Sequence, residues 1–156
     1  MKKFVLLVAF MLPLSIALIS AQNTPSTTKK QATKSKAPVV PSAVKEAFKQ
    51  RFPQVTKVKF DRERNGEYEA GFKENGAAMS ANFTAQGAWR ETETEIKTEE
   101  LPTVVAQAIA AKYPRAKVVG AAKIETADNG TRYEADLKTG LKKSEVLFDA
   151  AGNPVK

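Results

Sequence analysis

The sequence predicts an α+β fold of two tandem units, each one helix followed by a three- to four-stranded antiparallel sheet, the last strand of the second unit being rudimentary. Two observations predict it. A helical segment occurs twice, and after each copy the hydrophobic period changes from that of a helix to that of a strand. The first copy is Pro41-Ser42-Ala43-Val44-Lys45-Glu46-Ala47-Phe48-Lys49-Gln50-Arg51-Phe52-Pro53. It recurs 61 positions later as Pro102-Thr103-Val104-Val105-Ala106-Gln107-Ala108-Ile109-Ala110-Ala111-Lys112-Tyr113-Pro114, with four of 13 pairs identical.

Val44, Ala47, Phe48 and Phe52 fall on one stripe of a helix, as do Val105, Ala108, Ile109 and Tyr113. Phe48 and Ile109 sit at the centres of these stripes and are the expected equivalent core positions. Pro41 and Pro102 suit a first turn, where a backbone N–H is spare, and Pro53 and Pro114 stop the helix.

The strands follow by alternation. Val58 and Phe60 alternate with Lys57, Lys59 and Asp61 before a turn at Asn65-Gly66. Tyr68, Ala70 and Phe72 alternate with Glu67, Glu69 and Lys73 before Asn75-Gly76, and Met79, Ala81 and Phe83 continue to Gln86-Gly87. A fourth run spans Trp89 to Ile96. Asn-Gly between alternating runs is a strong hairpin signal, because both turn residues must accept positive φ. The second unit repeats the scheme: a run ending near Ile124, a turn at Asp128-Asn129-Gly130, Tyr133, Ala135 and Leu137, a turn at Thr139-Gly140, then Val146 and Phe148.

Ahead of this body lie two further segments. Lys2 and Lys3, an apolar run interrupted by Pro13, and Ser20-Ala21 make the three regions of a secretory signal peptide, expected to span residues 1–21. Residues 22–39 have no aromatic side chain and read as a flexible basic tether. The remainder, residues 40–156, is expected to be a single domain of two repeats, 40–97 and 98–156.

The formal charge of +8 does not describe that domain. Six of the 25 basic residues precede Ala37 and all 17 acidic residues follow it, which leaves the folded part with a net charge of +2. A nearly balanced surface offers no stripe for tracking phosphates, so nucleic acid is not an expected partner. The absence of cysteine and histidine excludes disulfides, lipidation at a cysteine, thiolate nucleophiles and a Ser-His-Asp triad. No catalytic residue, metal ligand or cofactor is expected, and no transmembrane segment remains once the signal is cleaved.

The candidate binding residues are the outward positions of the strands. Glu67, Glu69 and Lys73 in the first unit match Arg132, Glu134, Asp136 and Lys138 in the second, with Glu91 and Glu93 beside them if the two sheets adjoin. Carboxylates spaced as Glu91, Glu93 and Glu95 could do acid–base work or hold calcium, but a solvated strand face is the expected reading. Strict alternation puts Trp89 on this face as an aromatic anchor. One bulge after Gly87 would turn it onto the core, and burial is the favoured expectation.

Several stretches carry a family likeness: Arg51-Phe52-Pro53, Glu67-Tyr68-Glu69-Ala70-Gly71-Phe72, and Phe83-Thr84-Ala85-Gln86-Gly87-Ala88-Trp89-Arg90-Glu91-Thr92-Glu93. The second unit echoes them in Lys112-Tyr113-Pro114, Tyr133-Glu134-Ala135-Asp136-Leu137 and Phe148-Asp149-Ala150-Ala151-Gly152. From about Val40 onward the chain resembles the PepSY-like, beta-lactamase-inhibitor-like domains of exported bacterial proteins. The resemblance implies tandem helix-plus-sheet units in an extracytoplasmic place, periplasmic or secreted. A likeness of fold does not fix function. The expectation is a non-catalytic module that binds a protein or peptide of the cell envelope, such as a peptidase or wall enzyme it restrains. The alternative is an envelope protein that self-associates through its sheet edges.

Overall fold

The computed structural model describes residues 39–155. Every described residue belongs to one compact unit. The expected signal peptide and all but the last residue of the expected tether lie outside the described residues.

In chain order the elements are helix α1 (Ser42–Arg51), strands β1 (Val58–Arg62), β2 (Tyr68–Glu74), β3 (Ala77–Phe83) and β4 (Trp89–Ile96), and a 3-10 turn at Thr98–Glu100. Helix α2 (Thr103–Lys112) and strands β5 (Lys117–Thr126), β6 (Thr131–Thr139), β7 (Lys142–Asp149) and β8 (Pro154–Val155) complete them. The strands form one antiparallel sheet of eight in sequential order. The two expected sheets are therefore continuous, joined where β4 pairs with β5 through Glu91↔Thr126, Glu93↔Ile124 and Glu95↔Ala122.

The helices begin and end alike. Pro41 and Pro102 hold extended conformations, and their carbonyls accept from Lys45 N (3.3 Å) and Ala106 N (2.9 Å). At the other end Phe52 and Tyr113, each preceding a proline, leave the helical region near φ −125° and −128°. Proline disfavours the α conformation in the residue before it.

Both helices pack on one face of the sheet. The predicted stripe of α1 enters a core of Val44, Phe48, Phe52, Tyr68, Ala70, Phe72, Ala81 and Phe83. Phe48 is its hub, with ring centroids 5.1 Å from Phe72, 5.6 Å from Phe60 and 6.4 Å from Phe83, all edge-on. Edge-to-face pairs of this kind add to the gain from burial alone. The stripe of α2 enters a second core of Leu101, Val105, Ile109, Ala121, Ala135, Leu137 and Phe148.

Turn chemistry explains the hairpins. Asn75 (φ 50°) and Gly76 (φ 85°) both adopt positive φ between β2 and β3, the requirement of a two-residue turn that matches strand twist. Gly87 does more than turn: a Cβ there would lie 2.6 Å from the carbonyl oxygen of Ala43, so its bare backbone lets the β3–β4 loop close against α1. Among the described residues no helix is long and apolar enough to cross a membrane.

Candidate functional site

The face opposite the helices is built by strand parity. If Ala70, Phe72, Ala81 and Phe83 point to α1, their neighbours point away. The pairing then lays side chains in ranks across the sheet. One rank runs Glu69–Asn82–Glu91–Thr126, and the next Gly71–Ser80–Glu93–Ile124–Arg132–Asp149. A third contains Glu95–Ala122–Glu134–Leu147, a fourth Gly120–Asp136–Glu145, and a fifth Lys117–Lys138–Lys143.

Of the ten sequence-predicted site residues, Trp89 is not on this face. Phe83 pairs with Trp89 while Asn82 pairs with Glu91, so Arg90 is an extra residue in β4. That bulge breaks the alternation and turns Trp89 onto the helix side, half-buried against the first core. There its indole N–H donates to Thr92 Oγ1 at 2.9 Å. The aromatic anchor implied by strict alternation is thus a core-edge residue.

Glu67 stands in the turn before β2, where its carboxylate accepts from Asn65 Nδ2 and from Arg90 Nε, each at 3.0 Å. Lys73 and Lys138 are exposed at the margins. Glu69, Glu91, Glu93, Arg132 and Asp136 are half-buried. Glu134, expected to point into solvent, lies on this face but is only 6% exposed. Ala122, Ile124 and Thr126 beside it are also buried, although neither helix packs here.

Electrostatics follow from that burial. The Glu134 carboxyl is pushed up to about 8, by burial first and then by Glu93, Glu145, Asp136 and Glu91. Glu93 is raised to about 7, by burial first and then by Glu69, Glu91, Glu145 and Asp136. Glu69 and Glu145 are raised as well, again chiefly by burial. Like charges crowded in a desolvated place favour the protonated form. Asn82 sits in the same field: its Nδ2 donates to Glu91 Oε1 at 3.2 Å, while its Oδ1 is buried with no partner among the described residues.

Glu145 and Asn82 were not picked out in the sequence. Glu145 precedes Val146 in an alternating run, and parity alone would have placed it opposite Asp136.

Two helices on one face of an eight-stranded antiparallel sheet, with carboxylates gathered on the other, define a small α+β sheet module. The chain belongs to the beta-lactamase-inhibitor-like, PepSY-like family, whose pattern matches residues 26–79 and 66–156. No protein with curated annotation matches the sequence. Among solved structures the chain is similar to a DUF2874 family protein from Bacteroides uniformis, at 22% identity and TM-score 0.67, covering 74% of this chain and 86% of that one. It is similar to a protein of Bacteroides eggerthii described as periplasmic, at 21% identity and TM-score 0.68, covering 76% and 88%. It is also similar to a BLIP-like protein from Bacteroides fragilis, at 25% identity and TM-score 0.63, covering 76% and 86%.

Proposed function

We propose that the protein is an exported, periplasmic, non-catalytic module whose helix-free sheet face binds a protein or peptide of the cell envelope. One observation carries this reading: the two faces of the sheet have separate tasks. The helix side holds both apolar cores. The other side holds half-buried charged groups that contribute to neither core. Burying carboxylates without partners opposes folding, so their presence there fits recognition better than stability. The periplasmic assignment is supported by the family, by the neighbour described as periplasmic and by the signal-like residues 1–21.

We also read residues 40–97 and 98–156 as two copies of one unit. Supporting this, Thr84 N donates to Ala88 O at 2.9 Å and Gly87 N to Thr84 O at 2.9 Å, and Asp149, Asn153 and Gly152 make the same pair of bonds at 2.8 and 3.0 Å. Gly87 closes against Ala43 as Gly152 closes against Val104.

The test immobilises the mature protein and a variant carrying Glu91→Lys, Glu93→Lys and Arg132→Glu, and passes periplasmic extract over both. A protein retained by the wild type and lost on the variant, with the variant folded by circular dichroism, supports the reading. Equal retention on both, or retention of only further copies of this chain, overturns it.

A further inference from the structure

We propose that the outer edge of β1, with the apolar groove between it and α1, takes up an extended acidic segment of another protein as an added antiparallel strand. The inference rests on reading the two units as copies, and not on what the helix-free face binds.

The units differ in what flanks their first strand. Phe60 of β1 pairs with Ala70 as Ala121 of β5 pairs with Ala135, and each of those alanines follows a Tyr-Glu pair. The other side of β5 is taken by β4, where Ile96 stands opposite Ala121 and packs against the second core. β1 begins the sheet, and among the described residues no strand pairs with its outer side. A groove of about 390 Å³ opens between α1 and β1 instead, lined by Phe48, Val55, Val58 and Phe60. Ile96 of the second unit thus marks what belongs beside Phe60 in the first: a branched apolar side chain on an antiparallel strand.

The residues ahead of α1 do not have the composition for that strand. The 61-residue offset that matches Val40-Pro41 to Leu101-Pro102 puts Ser35 in the place of Ile96, within Lys30-Gln31-Ala32-Thr33-Lys34-Ser35. That stretch has no large apolar side chain and brings two further lysines.

Charge selects the occupant. Lys45 and Lys49 also line the groove, no carboxylate does so among the described residues, and neither lysine forms an ion pair among them. Their counterparts 61 positions on are Ala106 and Ala110, so the lysines go with the open groove rather than with the repeat. Along β1 itself Lys59 and Arg62 are exposed, with Asp61 between them paired to Lys59. An acidic strand meets opposite charge on this rim. A strand added to a free edge gains main-chain hydrogen bonds, and the adjoining pocket supplies selectivity.

The probe is a labelled, end-capped peptide with the sequence of residues 91–101 carrying Glu95→Lys and Lys97→Glu. In the β4–β5 register it lays isoleucine opposite Phe60, lysine opposite Asp61 and glutamate opposite Lys59. It is titrated into the mature chain by fluorescence anisotropy, while hydrogen exchange follows the amides of β1. Expected are saturable binding, slowed exchange in residues 58–62, and at least tenfold weaker binding both to the Lys45→Glu, Lys49→Glu variant and by the peptide carrying Ile96→Asn. The Lys142→Glu, Lys143→Glu variant makes the same charge change at the opposite margin and should bind as wild type. All four lysines are exposed, and circular dichroism checks that both variants fold. A protein held at this edge would still be retained by the variant altered at Glu91, Glu93 and Arg132, so this reading and the face reading fail separately. The proposal is overturned by absence of saturable binding, equal losses in the two lysine variants, undiminished binding of the Ile96→Asn peptide, or protection only outside β1. Concentration-dependent protection of β1 without peptide would also overturn it, by naming a second copy of the chain as the occupant.

Discussion

The guanidinium carbon of Arg51, at the end of α1, lies 3.4 Å from the centroid of the Trp89 ring at the start of β4. The contact ties the C-terminal turn of the first helix to the bulged strand. A cation over tryptophan contributes ~0.5–1 kcal/mol when exposed and ~2 when desolvated. Arg51→Ala, Trp89→Phe and the double variant, taken through a denaturant double-mutant cycle, should return a coupling of about 1 kcal/mol. Trp89→Ala should cost more, about 2–4 kcal/mol, because a half-buried indole leaves the core edge and Thr92 loses its donor.

Phe48→Ala should cost ~3–5 kcal/mol and Ile109→Ala ~2–5 kcal/mol, measured by urea unfolding. Both side chains are at most 4% exposed. Phe48 meets four aromatic rings and Ile109 meets none of them, so the first loss should be the larger. Equal losses would show that the ring contacts add nothing to burial.

Stability should fall as pH rises. The folded-state values of Glu93 and Glu134, about 7 and about 8, stand above the ordinary 4.5. The folded chain therefore holds more protons than the unfolded chain between those limits, and folding weakens from about pH 4.5 until the pH passes the folded values. The thermal midpoint should be lower at pH 8.5 than at pH 5. Glu93→Gln should flatten the profile and gain about 1–3 kcal/mol at pH 8.5 relative to wild type. A profile that rises with pH would contradict the burial of these groups.

Gly87→Ala and Gly66→Ala separate two costs. Both glycines have positive φ, near +83° and +89°, which costs about 1 kcal/mol for a residue with a Cβ. Gly66 has open space around it, whereas Gly87 faces the Ala43 carbonyl. Gly66→Ala should therefore cost about 1 kcal/mol and Gly87→Ala clearly more, at least ~2 kcal/mol, by chemical denaturation. Similar losses would mean that the loop moves away from α1 without resistance.

The helices and hairpins were legible because their signals are local. The Val44, Phe48 and Phe52 stripe needs only one helical period, and Asn75-Gly76 needs only its own φ values. The union of both sets of strands in one sheet was less legible, since it rests on Glu91 meeting Thr126 across the 3-10 turn and α2. Parity identified most of the face but says nothing about depth. Glu134 alternates with Tyr133 and Ala135 like any wet position, yet it is buried, flanked in register by Ala122 and Leu147 on the adjacent strands. Trp89 shows the other limit. One inserted residue, Arg90, reverses a side chain, and the sequence around it offers two consistent registers.

The short last strand has its own consequence. β8 pairs only with Leu147 and Phe148, so among the described residues the outer margin of β7 from Lys142 to Glu145 has no partner strand. Such a margin is a template on which another chain can build a strand. Here it carries two adjacent lysines, a serine and a glutamate, all exposed, and an identical strand laid parallel and in register beside it would bring like charges together and strip their water. At the opposite margin β1 carries exposed Lys59 and Arg62. Among the described residues the sheet thus ends on both sides in exposed charged side chains, a device that discourages in-register growth by further copies of the same strand.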